Sequence, residues 1–376
     1  MDALDRFRGS ILGLAVGDAL GHPTEFISNL GSIRARWPPH GVTGFEPAGR
    51  HPAGTFTDDT QMAVAVARAL CRVGRRDLDT LMTVMGVEFV AWARSPENNR
   101  APGGTCLAGC RNLARGVPWR EAGVRGSKGC GAAMRAAPVG LYHAHDLDAL
   151  VRVGAAQSAL THAHPTGVAS GVAAAAAVAL PLRGGALDEL IPFLRACLQR
   201  LTPAMMIDVG CDAGLVSAVG AGEMLGALTR AEAALSQEAD DVCALLGGAW
   251  VGEEAVAASL WCVARAKGDF AATVLRAANS SGDSDSIACV AGSIAGAFRG
   301  VEGIPPVWRG QVEKGTALDA LARALHAAAT GAGDVALHPS LDLFGAERFG
   351  PRPEDMEGDD DTEVDLDRSA LRGLRG

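Results

Sequence analysis

The chain has 376 residues, of which 48% are hydrophobic and 20% charged, a composition that excludes extensive disorder. Its formal net charge of −9 excludes long-range attraction to nucleic acid or an anionic membrane, so neither is an expected partner and any anionic ligand must be held locally. Aromatic residues make up only 5% while glycine contributes 48 residues, which disfavours an all-β fold and favours closely packed helices.

Apolar residues recur at helical spacing along most of the chain. One helix is predicted to follow Asp59 and end before Gly74, and the clearest follows Asp285 and ends at Gly300. Other helices are predicted, in chain order, at 7–20, 81–93, 146–160, 166–180, 249–266, 270–277 and 318–328. No alternation of strands and helices interrupts this series, so the pattern predicts an all-α fold.

Turn-forming residues separate these helices at 21–55, 95–104 and 123–131, and loops this long usually serve a site. Residues 1–332 are predicted to form one domain, because neither a linker nor a repeat divides them. Residues 333–376 are predicted to be a C-terminal extension, acidic and disordered from about Pro351.

Nine cysteines are scattered without a CxxC pair, which predicts reduced thiols and a cytoplasmic location. The first residues include acidic side chains and do not resemble a secretory signal. The most apolar run, 167–182, consists mostly of Ala and Val, so a buried core helix is expected there rather than a membrane span.

Two acidic motifs, Thr57-Asp58-Asp59 and Asp283-Ser284-Asp285-Ser286, stand at the starts of predicted helices. Asp, Ser and Thr are the preferred N-caps, and Asp58 with Gln61 resembles a capping box, so each motif alone is most simply explained by capping. One cap satisfies a helix end, however, and each motif places two carboxylates there. Carboxylate and hydroxyl oxygens suit Mg²⁺ or Mn²⁺, so the two motifs together predict a site for two divalent ions.

Two known metal patterns can be compared with the second motif. An EF-hand requires an acidic or Asn residue and then Gly where this chain has Ile287 and Ala288, so that interpretation fails. The haloacid dehalogenase pattern is nearer, but it needs a hydrophobic strand before Asp283, and residues 275–279 have the pattern of a helix end. A Mg²⁺-dependent phosphohydrolase of that type remains the alternative.

Six segments resemble the ADP-ribosylglycohydrolase family in order and spacing over about residues 7–303. They are GSILGLAVGDALG at 9–21, GTFTDDT at 54–60, SKGCGAAMR at 127–135, ALTH at 159–162, WVGEEA at 250–255 and ANSSGDSDSI at 278–287. The resemblance implies an all-α, compact single-domain orthogonal helical bundle with a central cleft that contains two Mg²⁺ or Mn²⁺ ions.

The resemblance also implies roles for individual residues. Those that match the family's metal ligands are Thr57, Asp58, Asp59, Asp283, Asp285 and Ser286, the last often Thr in the family. Glu25 matches an acidic residue on a mobile loop near the metals, although an ordinary solvated loop acid would look the same. Glu25 and Asp59 are the predicted catalytic residues, acting in proton transfer.

An ADP-ribose site is predicted beside the metals. Its candidates are Gly126, Ser127, Lys128, Gly129, Cys130 and Gly131, which precede an apparent helix at 132–136 and suit a backbone N–H cradle for a diphosphate, with Lys128 adding charge. A tight connection is the structural alternative. His162 matches a family residue that lines the ADP-ribose pocket, although many histidines at such positions belong to the core. Trp250 is a candidate for the wall that faces the adenine.

The predicted function is metal-dependent hydrolysis of an ADP-ribosyl bond, in which the ions orient the distal ribose and polarise a water. An ADP-ribosylated protein or a small ADP-ribosyl compound is the expected partner. An arginine adduct on protein is the first choice by analogy with bacterial relatives, with serine adducts and small compounds as alternatives. A non-catalytic ADP-ribose-binding homologue is a third class, which the intact set of metal-ligand positions argues against.

Overall fold

The computed structural model describes residues 1–331, so the acidic extension beyond them lies outside the described residues. Nineteen α-helices make up most of this part of the chain. In chain order they are α1 (Ala3–Gly21), α2 (Leu30–Arg36), α3 (Asp58–Val73), α4 (Leu78–Arg94), α5 (Gly104–Ala114), α6 (Trp119–Ala122), α7 (Ala137–Tyr142), α8 (Leu147–Ala159), α9 (Pro165–Leu182), α10 (Leu190–Arg200), α11 (Pro203–Asp208), α12 (Ala213–Ala218), α13 (Gly222–Ala234), α14 (Cys243–Leu246), α15 (Gly252–Arg265), α16 (Phe270–Ala278), α17 (Ser284–Arg299), α18 (Pro306–Gln311) and α19 (Gly315–Thr330).

Other regular structure is sparse. Short 3₁₀ helices cover Cys130–Ala132, Leu187–Glu189 and Val301–Gly303. In residues 1–331, pairing between extended segments is limited to three isolated bridges, which join Ala48 to His51, Val124 to His162 and Gly129 to Val251. The predicted all-α fold is therefore confirmed.

The predicted long helices are all present, with ends that differ by a few residues, as α1, α3, α4, α8, α9, α15, α16, α17 and α19. The short helix predicted at 132–136 is wrong, because a 3₁₀ turn ends at Ala132 and α7 begins only at Ala137. Pro138 lies in the first turn of α7, where its missing N–H is tolerated, so α7 starts beside the proline and does not continue a helix from 132. Helix α2 lies inside a segment predicted to be loop, and the Asn29 side chain caps it by accepting the Ser32 N–H at 2.7 Å.

The antiparallel pairing of α1 and α17 positions the acidic motifs. Glycines four residues apart form one face of α1, and that face meets the backbone of α17 directly; they are Gly9, Gly13, Gly17 and Gly21. A Cβ atom on Gly17 would lie 1.9 Å from the carbonyl oxygen of Ala288, and one on Gly21 would lie 2.4 Å from the Cα of Asp285. Because no side chain separates the two backbones, the end of α1 and the turn that follows it lie against the start of α17.

Helix α9 is the core helix that the sequence predicts at its most apolar run. It is long and apolar enough, by length and composition, to cross a membrane, but 94% of it is buried inside the protein. Its Ala-rich surface allows close packing of α7, α8, α10 and α15 around it. Burial by neighbouring helices therefore accounts for its hydrophobicity.

Candidate active site

Six carboxyl groups from three parts of the chain meet in the interior, each at most 7% exposed. Together they form what we call the acidic cluster: Asp18 of α1, Glu25 of the turn after α1, Asp58 and Asp59 of the first turn of α3, and Asp283 and Asp285 at the start of α17. Such a concentration of buried carboxyl groups is unusual, because each charged form loses hydration on burial.

An open cleft of about 250 Å³ reaches the acidic cluster. Five of the six acids line it, together with the hydroxyl-bearing Ser286; they are Glu25, Asp58, Asp59, Asp283 and Asp285. One oxygen each of Glu25, Asp283 and Asp285 lie within 4.8 Å of one another. The structure thus brings the two predicted motifs and Glu25 to one place.

Helix capping does not account for these carboxylates. Asp283 occupies the N-cap position of α17 but makes no capping hydrogen bond through its side chain. In α3 the cap is Thr57, whose hydroxyl accepts the Asp59 N–H at 3.4 Å. The resemblance of Asp58 and Gln61 to a capping box is misleading, since the Gln61 amide instead accepts the Trp92 indole N–H at 2.9 Å and donates to a loop carbonyl.

Asp18 is a functional residue that the sequence analysis missed. Its carboxylate accepts from four donors at 2.6–3.0 Å, namely the backbone N–H and hydroxyl groups of Thr57 and Thr60, and the Thr57 N–H is shared between both oxygens. It therefore fixes the first turn of α3 from behind the cleft, while Thr57 Oγ1 also lies 3.3 Å from Asp285 Oδ2. A sequence signal existed, because Asp18 is the single charged residue within the apolar run 11–20.

Glu25 is held in place through its neighbour Thr24. The Thr24 hydroxyl lies 2.8 Å from the Gly21 carbonyl, 2.6 Å from the Ala278 carbonyl and 2.9 Å from the Ser284 hydroxyl, so it joins the turn to the ends of α16 and α17. The turn thereby directs Glu25 inward, where it is 7% exposed. An ordinary solvated loop acid would not be buried in this way.

Burial and mutual repulsion raise the pKa values across the acidic cluster. Burial, then the charge of Asp285, raises the pKa of Asp18 to about 7. Burial also raises the pKa of Asp58 to about 8, against the hydrogen bond that its Oδ2 accepts from Gly103 N–H at 3.1 Å. The pKa values of Glu25, Asp59 and Asp283 are raised as well, first by burial and then by neighbouring carboxylates.

The acidic cluster has the chemistry of a divalent-cation site. Within residues 1–331, Glu25 Oε2 and Asp59 Oδ1 are buried and have no hydrogen-bond partner. Unpartnered carboxylate oxygens are costly in an interior and are the atoms that Mg²⁺ and Mn²⁺ bind. The residues that could hold such ions are the five acids of the cleft, with the hydroxyls of Thr57 and Ser286 beside them.

The glycine-rich loop at 126–131 contributes to the cleft with only half of its residues, Gly129, Cys130 and Gly131. The Cys130 thiol lies 2.8 Å from Asp283 Oδ2, to which it donates. Lys128 does not line the cleft; its ammonium group donates to Glu223 at 2.8 Å and Glu253 at 2.6 Å. The predicted helix N-terminus behind this loop is absent, and what remains is the backbone around the 3₁₀ turn.

Gly126 and Ser127 also lie outside the wall of the cleft. Gly126 is exposed. The Ser127 hydroxyl lies 3.0 Å from the hydroxyl of Thr105, which does line the cleft. These two residues are therefore at its edge rather than in its interior.

The remaining predicted contacts, His162 and Trp250, both line the cleft. His162 lines the cleft and is buried, and burial lowers its pKa to about 3. Trp250 is half exposed and stacks on Phe26, which the sequence analysis did not identify, with ring centroids 6.0 Å apart and an interplanar angle of 20°. Two exposed aromatic faces therefore border the entrance.

The dehalogenase alternative lacks its structural requirement. Helix α16 (Phe270–Ala278) and a short turn precede Asp283, where that family needs a strand. The interpretation of Asp283 and Asp285 as a dehalogenase motif is therefore wrong.

The sequence of this chain was compared with protein families and with known proteins. The family model described as ADP-ribosylglycohydrolase matches residues 1–334. The chain is 31% identical to a protein of Pseudomonas putida (strain GB-1) named ADP-ribosylarginine hydrolase Tri1, over 81% of this chain and 74% of that protein. It is 28% identical to human ADP-ribosylhydrolase ARH3, over 86% of this chain and 93% of that protein.

A solved structure titled ADP-ribosylglycohydrolase-related protein complex aligns with a TM-score of 0.66 and 25% sequence identity, covering 87% of this chain and 99% of the other. Both the sequence and the fold thus match the same family. The chain belongs to the ADP-ribosylglycohydrolase family and is a hydrolase of ADP-ribosyl glycosidic bonds.

Proposed function

We propose that this protein uses divalent Mg²⁺ or Mn²⁺ to remove ADP-ribose from arginine side chains of modified proteins. The observation that carries the metal dependence is the set of five buried carboxyl groups around one cleft, two of them with unpartnered oxygens. Asp58 and Asp59 from α3 and Asp283 and Asp285 from the start of α17 would hold two ions, with a Glu25 oxygen within 4.8 Å of oxygens of Asp283 and Asp285.

The bound ions would act as Lewis acids that orient the ribose hydroxyls and lower the pKa of a water. Glu25 and Asp59 are the groups suited to proton transfer, because each lines the cleft and has a buried oxygen without a partner. Burial and the neighbouring carboxylates raise the pKa values of both groups, which favours the protonated form that a general acid needs. Asp18 supports them by holding the start of α3.

The arginine linkage is supported by the relative named ADP-ribosylarginine hydrolase, which is 31% identical to this chain. The name of the human relative, at 28% identity, leaves the linkage open. Removal from serine is therefore the alternative that an experiment must separate.

The decisive experiment incubates the protein with arginine- and serine-ADP-ribosylated peptides and follows free ADP-ribose, with EDTA, Mg²⁺ or Mn²⁺ present. We expect release from the arginine peptide only with a metal. Asp58→Asn should abolish release in a folded protein, whereas Asp188→Asn, at an exposed aspartate, should be as active as wild type.

The other outcomes are distinguishable. Release from the serine peptide alone would overturn the linkage but leave the hydrolase. Equal release in EDTA, or unchanged turnover in Asp58→Asn, would contradict the metal site. Ligand binding without any release would identify a non-catalytic homologue.

A further inference from the structure

Next to the cleft lies Arg135, a fully buried guanidinium that forms no salt bridge in residues 1–331. It donates to the Gln157 side chain at 2.9 Å, to the Gln157 carbonyl at 2.7 Å and to Thr161 Oγ1 at 2.8 Å. Its Cζ atom lies 4.5 Å from the centre of the Phe89 ring. Because an arginine is always protonated in proteins, Arg135 is the donor in each of these three hydrogen bonds.

The Thr161 hydroxyl therefore has one lone pair occupied. In residues 1–331 its other hydrogen-bond partner is His162 Nδ1, at 2.8 Å, and Thr161 is fully buried. A hydroxyl carries one proton, and a buried proton without an acceptor is costly. The arrangement that satisfies every group has Thr161 donating to a bare Nδ1, which leaves the ring proton of a neutral His162 on Nε2.

Nε2 lies next to two glycines that line the cleft, as His162 itself does. A Cβ atom on either Gly129 or Gly131 would lie 3.2 Å from His162 Nε2, so the backbone of the glycine-rich loop passes close to this nitrogen. The backbone of His162 is fixed in turn, because Val124 N–H donates to the Thr161 carbonyl at 2.8 Å and Ala163 N–H to the Val124 carbonyl at 3.1 Å. The ring is thus held on both sides.

We infer that Arg135 and Thr161 are positioning residues that hold His162 as an Nε2–H donor to an oxygen of the bound ADP-ribosyl group. The inference rests on the proposed function for the identity of this ligand. It assigns a role to a buried arginine that does not itself line the cleft and that forms no hydrogen bond with the acidic cluster in residues 1–331.

The tautomer of His162 matters because its imidazole ring is neutral. Burial lowers the pKa of His162 to about 3, and the charge of Arg135 adds to this effect, so the ring is neutral near pH 7. A neutral imidazole has one donor and one acceptor nitrogen, and only one tautomer presents a donor to the cleft. The hydrogen bonds from Arg135 to Thr161 and from Thr161 to His162, which we call the relay, thus decide whether His162 Nε2 is a hydrogen-bond donor or an acceptor.

The test uses the full chain labelled with ¹⁵N at histidine, with the His162 signals assigned by their loss in His162→Gln. In the wild type we expect ¹⁵N shifts of a protonated Nε2 and a bare Nδ1, unchanged between pH 5 and 8. Thr161→Val removes the hydroxyl at nearly constant shape, and we expect a mixture of tautomers and an ADP-ribose Kd raised on the order of tenfold in calorimetry. Thr161→Ser keeps the hydroxyl and should restore both properties.

A wild-type signal with the proton on Nδ1 would overturn the inference. So would a folded Thr161→Val protein in which both the tautomer and the Kd are unchanged, even if its melting temperature falls, because a purely structural role predicts that result. If the wild type does not bind ADP-ribose at all, the proposed ligand fails, and the ¹⁵N spectra still decide the relay separately.

Discussion

The acidic cluster makes an unusual prediction for Asp58→Asn in the absence of metal, namely that the loss of an active-site residue stabilises the protein. Burial and the charges of Asp285 and Asp18 raise the pKa of Asp58 from 3.8 to about 8. A carboxyl group whose pKa is raised on folding is protonated in both the folded and the unfolded protein below about pH 4. At such a pH the raised pKa does not lower the free energy of unfolding. The free energy of unfolding then falls as the pH rises towards about 8, because the unfolded state releases the proton first.

Each pKa unit corresponds to about 1.4 kcal/mol, so the pKa change of Asp58 sets a limit of about 6 kcal/mol at pH 8. Neighbouring carboxyl groups share protons, which makes the measured gain smaller than this limit. Asn carries no charge, and its side-chain oxygen can still accept the Gly103 N–H that Asp58 accepts at 3.1 Å. In EDTA at pH 8 we therefore expect Asp58→Asn to be more stable than wild type by about 2–6 kcal/mol, and at pH 5 by no more than about 2 kcal/mol.

Urea unfolding followed by circular dichroism measures this difference at pH 5 and pH 8. Mn²⁺ should raise the stability of the wild type and not that of the variant, which reverses their order. Asp188→Asn, at an exposed position, serves as the control and should change neither value. A variant that is less stable than wild type in EDTA at pH 8, or one whose advantage is equally large at pH 5, would refute the argument from charge crowding.

Three further predictions concern the surroundings of the acidic cluster. Gly17→Ala places a Cβ atom 1.9 Å from a carbonyl oxygen of α17 and should lower the free energy of unfolding by about 1–3 kcal/mol in urea, whereas Gly222→Ala, with open space around it, should not lower it. Asp18→Asn should weaken the metal affinity about 10–100-fold in a Mn²⁺ titration while the residues of the cleft stay unchanged; an unaltered affinity would contradict its positioning role. Lys128→Gln should lower the melting temperature, because it leaves Glu253 buried and unpaired, but change KM for the ADP-ribosylated peptide by less than about twofold. A large rise in KM would instead support a contact between Lys128 and the diphosphate.

The fold was largely predictable from local pattern. Helices such as α3 and α17 display three or more turns of one apolar stripe, and a glycine after each marks its end, so their existence follows from neighbouring residues alone. The error at 132–136 has a local cause too. Small apolar residues carry little periodicity, and they suit a 3₁₀ turn as well as a helix.

The site was predictable only as separate pieces. The sequence established that the starts of α3 and α17 carry more carboxylates than capping requires, because that surplus is visible within four residues. The sequence also contains an isolated charged residue, Asp18, in an apolar helix. Only its hydrogen bonds to Thr57 and Thr60 in the structure explain why that charge is there.

What the sequence by itself determined is therefore the helical fold, the acid-rich helix starts and, through its family resemblance, the class of reaction. Only the tertiary structure decided which side chains share one cleft, because their meeting depends on a glycine face of α1 that lets it touch α17. In the tertiary structure, Lys128 pairs with two carboxylates that are distant in the chain and does not line the cleft. Arg135, Thr161 and His162 are connected by hydrogen bonds there. Such pairings depend on contacts between residues far apart in the chain, and no local pattern encodes which partner a buried polar group finds.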